Sequence, residues 1–142
     1  MRNDHMTVRS PAMFDLIAPH AEAVPVEVEL RYDGRDPYAV QASFQTGRTG
    51  TTVEWVFARD LLADGMITES GTGDVKVRPA RGNPDRIELE LTSPSGHALF
   101  AANAAELAEF LERTYELVPP GSEYTWIDLD LALDDLLSSG TS

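Results

Sequence analysis

At 142 residues and 15.6 kDa, the chain is one domain long by the usual span of roughly 100–200 residues, and two large catalytic domains are excluded. Its 42% hydrophobic residues can supply a core without disulfide or metal staples, while 24 acidic against 11 basic residues give a formal charge of −13 that repels nucleic acid and anionic membranes. The complete lack of cysteine excludes disulfides, thiolate zinc sites, iron–sulfur clusters and thiol nucleophiles, and accords with a reducing compartment.

The amino terminus, Met1-Arg2-Asn3-Asp4-His5, is polar, and the apolar stretch around Phe14, Leu16 and Ile17 is interrupted by Asp15 and stopped by Pro19. It does not read as a signal segment, and no window reaches the roughly 18 apolar residues of a membrane span. A cytoplasmic location is expected. Thr7, Arg9 and Pro11 blur the pattern of the first 25 residues, though a strand covering part of residues 8–18 would complete a sheet. Residues 1–20 and 138–142 are expected to be the least ordered parts of a single domain spanning 1–142.

Alternation of period two then dominates, the pattern of strands with one buried and one wet face. Val26, Val28, Leu30 and Tyr32 share one face against Glu27, Glu29 and Arg31, and Asp33-Gly34 with Asp36-Pro37 marks a turn. Tyr38, Val40, Ala42 and Phe44 form the next buried face. After the turn Thr46-Gly47-Arg48-Thr49-Gly50, Thr51, Val53, Trp55 and Phe57 form a third. Ala58 to Gly65 reads as a short helix ended by a glycine suited to the left-handed position.

Gly71-Thr72-Gly73 opens a strand over Asp74 to Arg78, and the turn Arg81 to Asp85 leads to Ile87, Leu89 and Leu91 alternating with Arg86, Glu88 and Glu90. A further short strand around His97 to Phe100 follows the turn Ser93-Pro94-Ser95-Gly96. Asn103, with Glu106 three residues later, predicts a helix cap, and Leu107, Phe110, Leu111, Tyr115 and Val118 keep one face apolar. Pro119-Pro120-Gly121 ends that helix, and Asp128 is placed to cap a final amphipathic helix carrying Leu129, Leu133, Leu136 and Leu137. The expected fold class is α+β: two antiparallel meanders, a short central helix and two carboxy-terminal amphipathic helices.

Chemistry is sparse. The histidines are His5, His20 and His97, with no pair sharing a helix face. Ser95 precedes His97 by two residues, but its Pro and Gly neighbours satisfy turn chemistry and nothing supplies oxyanion donors. Gly71-Thr72-Gly73-Asp74 precedes a strand rather than a helix, so it reads as a loop and not a phosphate cradle. Trp55 and Phe57 read as core residues, because the basic groove of a single-strand binder is missing.

Two charged regions remain as docking candidates. Lys76, Arg78, Arg81 and Arg86 place the one lysine and three of the ten arginines on one hairpin, which reads equally as a docking patch or as an edge guarded against aggregation. From Glu106 onward there are nine acidic residues and only Arg113; Asp128, Asp130, Asp134 and Asp135 lack the glycine and spacing of a calcium loop. They read as a solvated helix face, or as a surface for a basic partner, with Asp130, Asp134 and Asp135 the candidates. No catalytic, cofactor or metal-binding residue is assigned.

The order of Asp36-Pro37-Tyr38-Ala39-Val40, the run from Val53 to Leu62, Gly71-Thr72-Gly73-Asp74-Val75, and Pro119-Pro120-Gly121 before Asp128-Leu129-Asp130 resembles the SsgA-like sporulation and cell-division proteins of actinobacteria, most closely their SsgB type. The match covers residues 24–137, with 53–62 its most specific part, and is poor over the first 20. The resemblance implies a non-enzymatic, cofactor-free protein with a Whirly-like arrangement of two antiparallel sheets packed against helices, assembled as a homotrimer. It further implies recruitment of the tubulin-like protein FtsZ to future septum sites, together with an SsgA-type protein. A Whirly-like fold also raises single-stranded nucleic-acid binding as an alternative, against which the charge balance speaks. A hydrolase ranks third and would need a pocket holding His97 beside a hydroxyl or carboxylate.

Overall fold

Apolar–polar alternation builds seven strands among the described residues, and helices appear where the apolar spacing changes to three and four. The computed structural model describes residues 6–45 and 51–123. In chain order the elements are β1 (Thr7–Ile17), β2 (Val24–Asp33), β3 (Ala39–Gln45), β4 (Thr52–Ala58), α1 (Arg59–Gly65), β5 (Val75–Ala80), β6 (Asn83–Ser93), β7 (Gly96–Asn103) and α2 (Ala104–Leu117). The expected Thr46–Gly50 turn and the expected helix around residues 128–137 lie outside the described residues.

All strands join one antiparallel sheet, in the order β4-β3-β2-β1-β7-β6-β5. This corrects the expectation of two sheets. The two meanders, β2-β3-β4 and β5-β6-β7, are sequential as read, but β1 lies between them. It pairs with β2 from Thr7↔Asp33 to Leu16↔Val24, and with β7 only through Asp15, Leu16 and Ile17. Alternation marks each strand's faces and carries no record of which strand lies beside it, so the joint was not legible. The strand expected over part of residues 8–18 thus supplies the link between the halves.

The sheet curls around its apolar face. Phe14, Val28, Leu30, Val40, Ala42, Phe44, Val77, Ile87, Leu89 and Phe100 are buried there, and Leu107, Phe110 and Leu111 of α2 belong to the same core. The rings of Phe14, Phe44 and Phe100 meet at its centre, with Phe44 and Phe100 centroids 4.8 Å apart. Helix α2 starts as read: the Asn103 side-chain oxygen accepts the Glu106 N–H at 3.0 Å, satisfying one of the orphan donors of the first turn. Its end is also as read, with Val118 leaving helical geometry before Pro119.

Three local expectations fail. Thr51 and Val53 were placed on the buried face, yet both are exposed, Trp55 is half-buried, and Phe57 is buried. Strand β4 is a sheet edge, and its first half lies beyond the cover of α2. Tyr38, grouped with Val40, is likewise exposed just before β3. Gly65 has no left-handed backbone; it is the buried last residue of α1, and a Cβ there would lie 2.4 Å from the Val77 side chain. Its role is close packing of α1 on β5.

Candidate functional site

The outer face of the β5–β6 hairpin carries the basic candidates because alternation turns Val75, Val77, Ile87 and Leu89 inward. Register sets Arg78 opposite Glu88 and Lys76 opposite Glu90. Arg78 donates through Nε to Glu88 Oε1 at 2.9 Å and through Nη1 to Glu90 Oε1 at 2.8 Å. The second oxygen of Glu90 lies 2.8 Å from Nε2 of His97. Arg78, with His97 second, holds the Glu90 carboxyl below the usual carboxylate range, and Glu90 in turn raises Arg78. Arg86 donates to Asp15 Oδ2 at 2.6 Å, reaching over β7 to β1, while Arg81 is exposed in the hairpin turn.

Arg78 and Arg86 therefore share a face, but each meets carboxylates there. The face is a mosaic of both signs rather than a basic patch, and such half-exposed pairs define shape and register more than they attract polyanions. Asp130, Asp134 and Asp135 lie outside the described residues, as does His5. His20 is exposed in the β1–β2 connection, with a φ of 62°. Ser95 meets Ser93, Oγ to Oγ at 3.0 Å, in the exposed turn that the sequence predicts. Among the described residues no three His, Asp or Glu side chains gather into a group able to hold a metal ion.

Local reading missed a buried polar centre. Arg59, the first residue of α1, is 1% exposed. Its guanidinium carbon sits 4.9 Å from the ring centroids of both Tyr32 and Tyr115, a cation–π contact to each. Nη2 donates to Glu123 Oε2 at 2.7 Å, and Nη1 to the carbonyl oxygen of Val118 at 2.7 Å, at the end of α2. The other Glu123 oxygen accepts the Gly121 N–H at 3.0 Å. Burial by itself would raise the Glu123 carboxyl, but the Arg59 hydrogen bond and backbone donors bring it below its ordinary value. Burial pushes the Tyr32 hydroxyl up to about 12 against the opposing pull of Arg59; that hydroxyl donates to the carbonyl oxygen of Pro37 at 2.9 Å. No local pattern signals this centre, since Glu123 is 64 residues from Arg59 in the chain. The sole pointer is that Arg59 falls inside the run from 53 to 62.

Comparison with known proteins identifies the family. The family described as "Streptomyces sporulation and cell division protein, SsgA" matches residues 26–123. The sporulation-specific cell division protein SsgB of Saccharopolyspora erythraea is 64% identical over 137 residues, 96% of each chain. Among solved structures, SsgB from a study of mutations that correlate to longitudinal cell division during sporulation of Streptomyces coelicolor superposes with a TM-score of 0.79 at 47% identity, covering 84% of this chain and 94% of that one. An SsgA-like sporulation-specific cell division protein of Thermobifida fusca gives 0.82 at 42%, covering 91% and 94%. At this identity and coverage, with a curled antiparallel sheet and two helices among the described residues, the chain belongs to the SsgA family of sporulation and cell division proteins.

Proposed function

We propose that this chain is a regulator of sporulation-specific cell division that works without catalysis, by presenting a folded surface to other proteins at the septum. The observation that carries the reading is the 64% identity over 96% of both chains with a protein named for that process. His97, Ser93 and Ser95 do line one cavity, the setting a hydrolase asks for, but His97 bonds Glu90 and Ser95 bonds Ser93, and no hydrogen bond among the described residues joins the histidine to a serine. Among the described residues no helix is long and apolar enough to cross a membrane.

The finer reading is recruitment of polymerised FtsZ, with an SsgA-type protein acting in the same step, by a homotrimer of a Whirly-like fold in the cytoplasm. Edge strand β4 supports self-association, with Val53 45% and Val56 60% exposed on an edge that β3 pairs from one side. A trimer would meet a filament's repeated sites with avidity even if each contact is weak. Co-sedimentation tests this: the chain is expected in the pellet with FtsZ polymerised by GTP and in the supernatant with unpolymerised FtsZ. A chain that stays in the supernatant throughout the FtsZ titration defeats the recruitment reading, and a monomer mass by light scattering defeats the trimer.

A further inference from the structure

A cavity of about 360 Å³ opens at the end of the curled sheet that α2 leaves uncovered. Its floor is the ring cluster of Phe44 and Phe100, and its walls include Trp55, Val53, Leu91 and Ala98. The cause of the opening is topological. The halves of the sheet are hydrogen-bonded to one another only through Asp15, Leu16 and Ile17, and beyond that joint β3–β4 and β6–β7 stand as facing walls. Small residues on β7 keep the space free: Ala98 lies opposite Leu91, and a Cβ added at Gly96 would meet no atom within 4 Å.

The lining chemistry is selective. Among the described residues no Asp, Glu, Lys or Arg lines these walls, so an ionised ligand meets no counter-charge from them. The polar groups at the mouth are Ser93 and Ser95 on the β6–β7 hairpin and Gln45 at the end of β3, while Nε2 of His97 is taken by Glu90 on the outer face. The Glu90 carboxylate bonded to His97 is also engaged by Arg78 and does not line the cavity. An apolar pocket of a few hundred Å³ with a few grouped polar atoms is the usual architecture of a small-molecule site. We propose that this cavity binds a neutral amphiphile, its apolar body against Trp55, Phe44 and Phe100 and its single hydrogen-bonding end at Ser93 and Ser95. This does not rest on the division reading above.

The test uses the full chain and the neutral fluorophore N-phenyl-1-naphthylamine. Saturable fluorescence enhancement at one probe per chain is expected, with displacement by 1-octanol and displacement by octanoate weaker by about tenfold or more. Ala98→Phe, which fills the cavity, and Val53→Trp, which narrows its mouth from the exposed edge, should each weaken probe binding by at least about tenfold, while Ile67→Ser, exposed and outside the cavity lining, should leave it unchanged. Circular dichroism reports whether Ala98→Phe is folded; if it is not, Val53→Trp decides alone. Failure of the probe to saturate, or wild-type binding by a folded Ala98→Phe and by Val53→Trp, overturns the proposal. Equal displacement by octanoate overturns the neutral class. Binding that appears only on dilution below the range of self-association shows that a second copy covers the mouth, and overturns the site for the assembled protein.

Discussion

Arg59 and Arg78 make the same kind of bond to glutamate, at 2.7 Å and 2.8–2.9 Å, in opposite surroundings. Arg59 and Glu123 are buried, the guanidinium against the Tyr32 and Tyr115 rings, and join α1, the end of α2 and the segment that follows it. Arg78 lies a quarter exposed on the outer face of the hairpin and joins only neighbouring strands. Water sets the difference. In the buried pair neither ion retains solvent, so each depends on the other. On the sheet face, solvent replaces a lost partner. The hairpin arginines can thus be varied in evolution or engineering with little risk to the fold, and Arg59 cannot.

The largest effect should come from removing one side of the buried pair. Arg59→Met is expected to lower unfolding free energy by about 3–5 kcal/mol, mainly because Glu123 is left as an uncompensated buried charge. Denaturant unfolding measures it. Adding Glu123→Leu should restore part of the loss; a single variant losing under about 1 kcal/mol would erase the contrast between the two regions.

Acid titration sharpens the same point. The Glu123 carboxyl titrates below its ordinary value of 4.5 in the folded chain, so its contribution is fully present above that value and is lost as pH falls through the folded one. Glu123→Gln should therefore be less stable than wild type near neutrality, and its stability should decline less steeply below pH 4.5. Parallel stability curves for the two proteins would show that Glu123 is not held by Arg59 in solution. At the alkaline end Tyr32 acts in the opposite sense: its raised pKa supplies stability below 10 that is lost as pH rises through about 12. Tyr32→Phe should blunt that alkaline loss.

Smaller effects belong to the outer face. Arg86→Ala breaks the tie to Asp15, whose side chain is one-third exposed, and should cost about 0.5–1 kcal/mol. Because that tie reaches over the joint between the sheet halves, its loss should also raise hydrogen exchange in residues 15–17 and 99–101 before the hairpin itself. Arg78→Ala should change stability by less than about 0.5 kcal/mol, and the change should shrink further in high salt. A loss as large as that of Arg59→Met would mean that the hairpin face is buried in an assembly.

Local pattern carried much of the architecture. The faces of β2, β3 and β6, the Asn103 cap, the apolar stripe of α2 and the Pro119-Pro120 stop were all legible, because each depends on neighbours within a few residues. The candidate arginines were legible as residues and misleading as a patch: their acidic partners Glu88 and Glu90 were in plain view, but reading them as partners requires the cross-strand register. Val53 and Trp55 alternate as a buried strand should, yet burial depends on what covers the strand, and α2 does not reach them.

By itself the amino-acid sequence determined an acidic, cysteine-free domain of meanders and helices, and the order of its motifs pointed to the family. Only the tertiary structure decided that β1 joins both halves into one sheet, that Gly65 is pressed against Val77, that Arg59 finds Glu123, and that the joint opens into a cavity. The division has a physical cause. Side-chain periodicity and capping are settled over a few residues, whereas strand order, buried ion pairs and cavities depend on which distant segments the collapse of the core brings together.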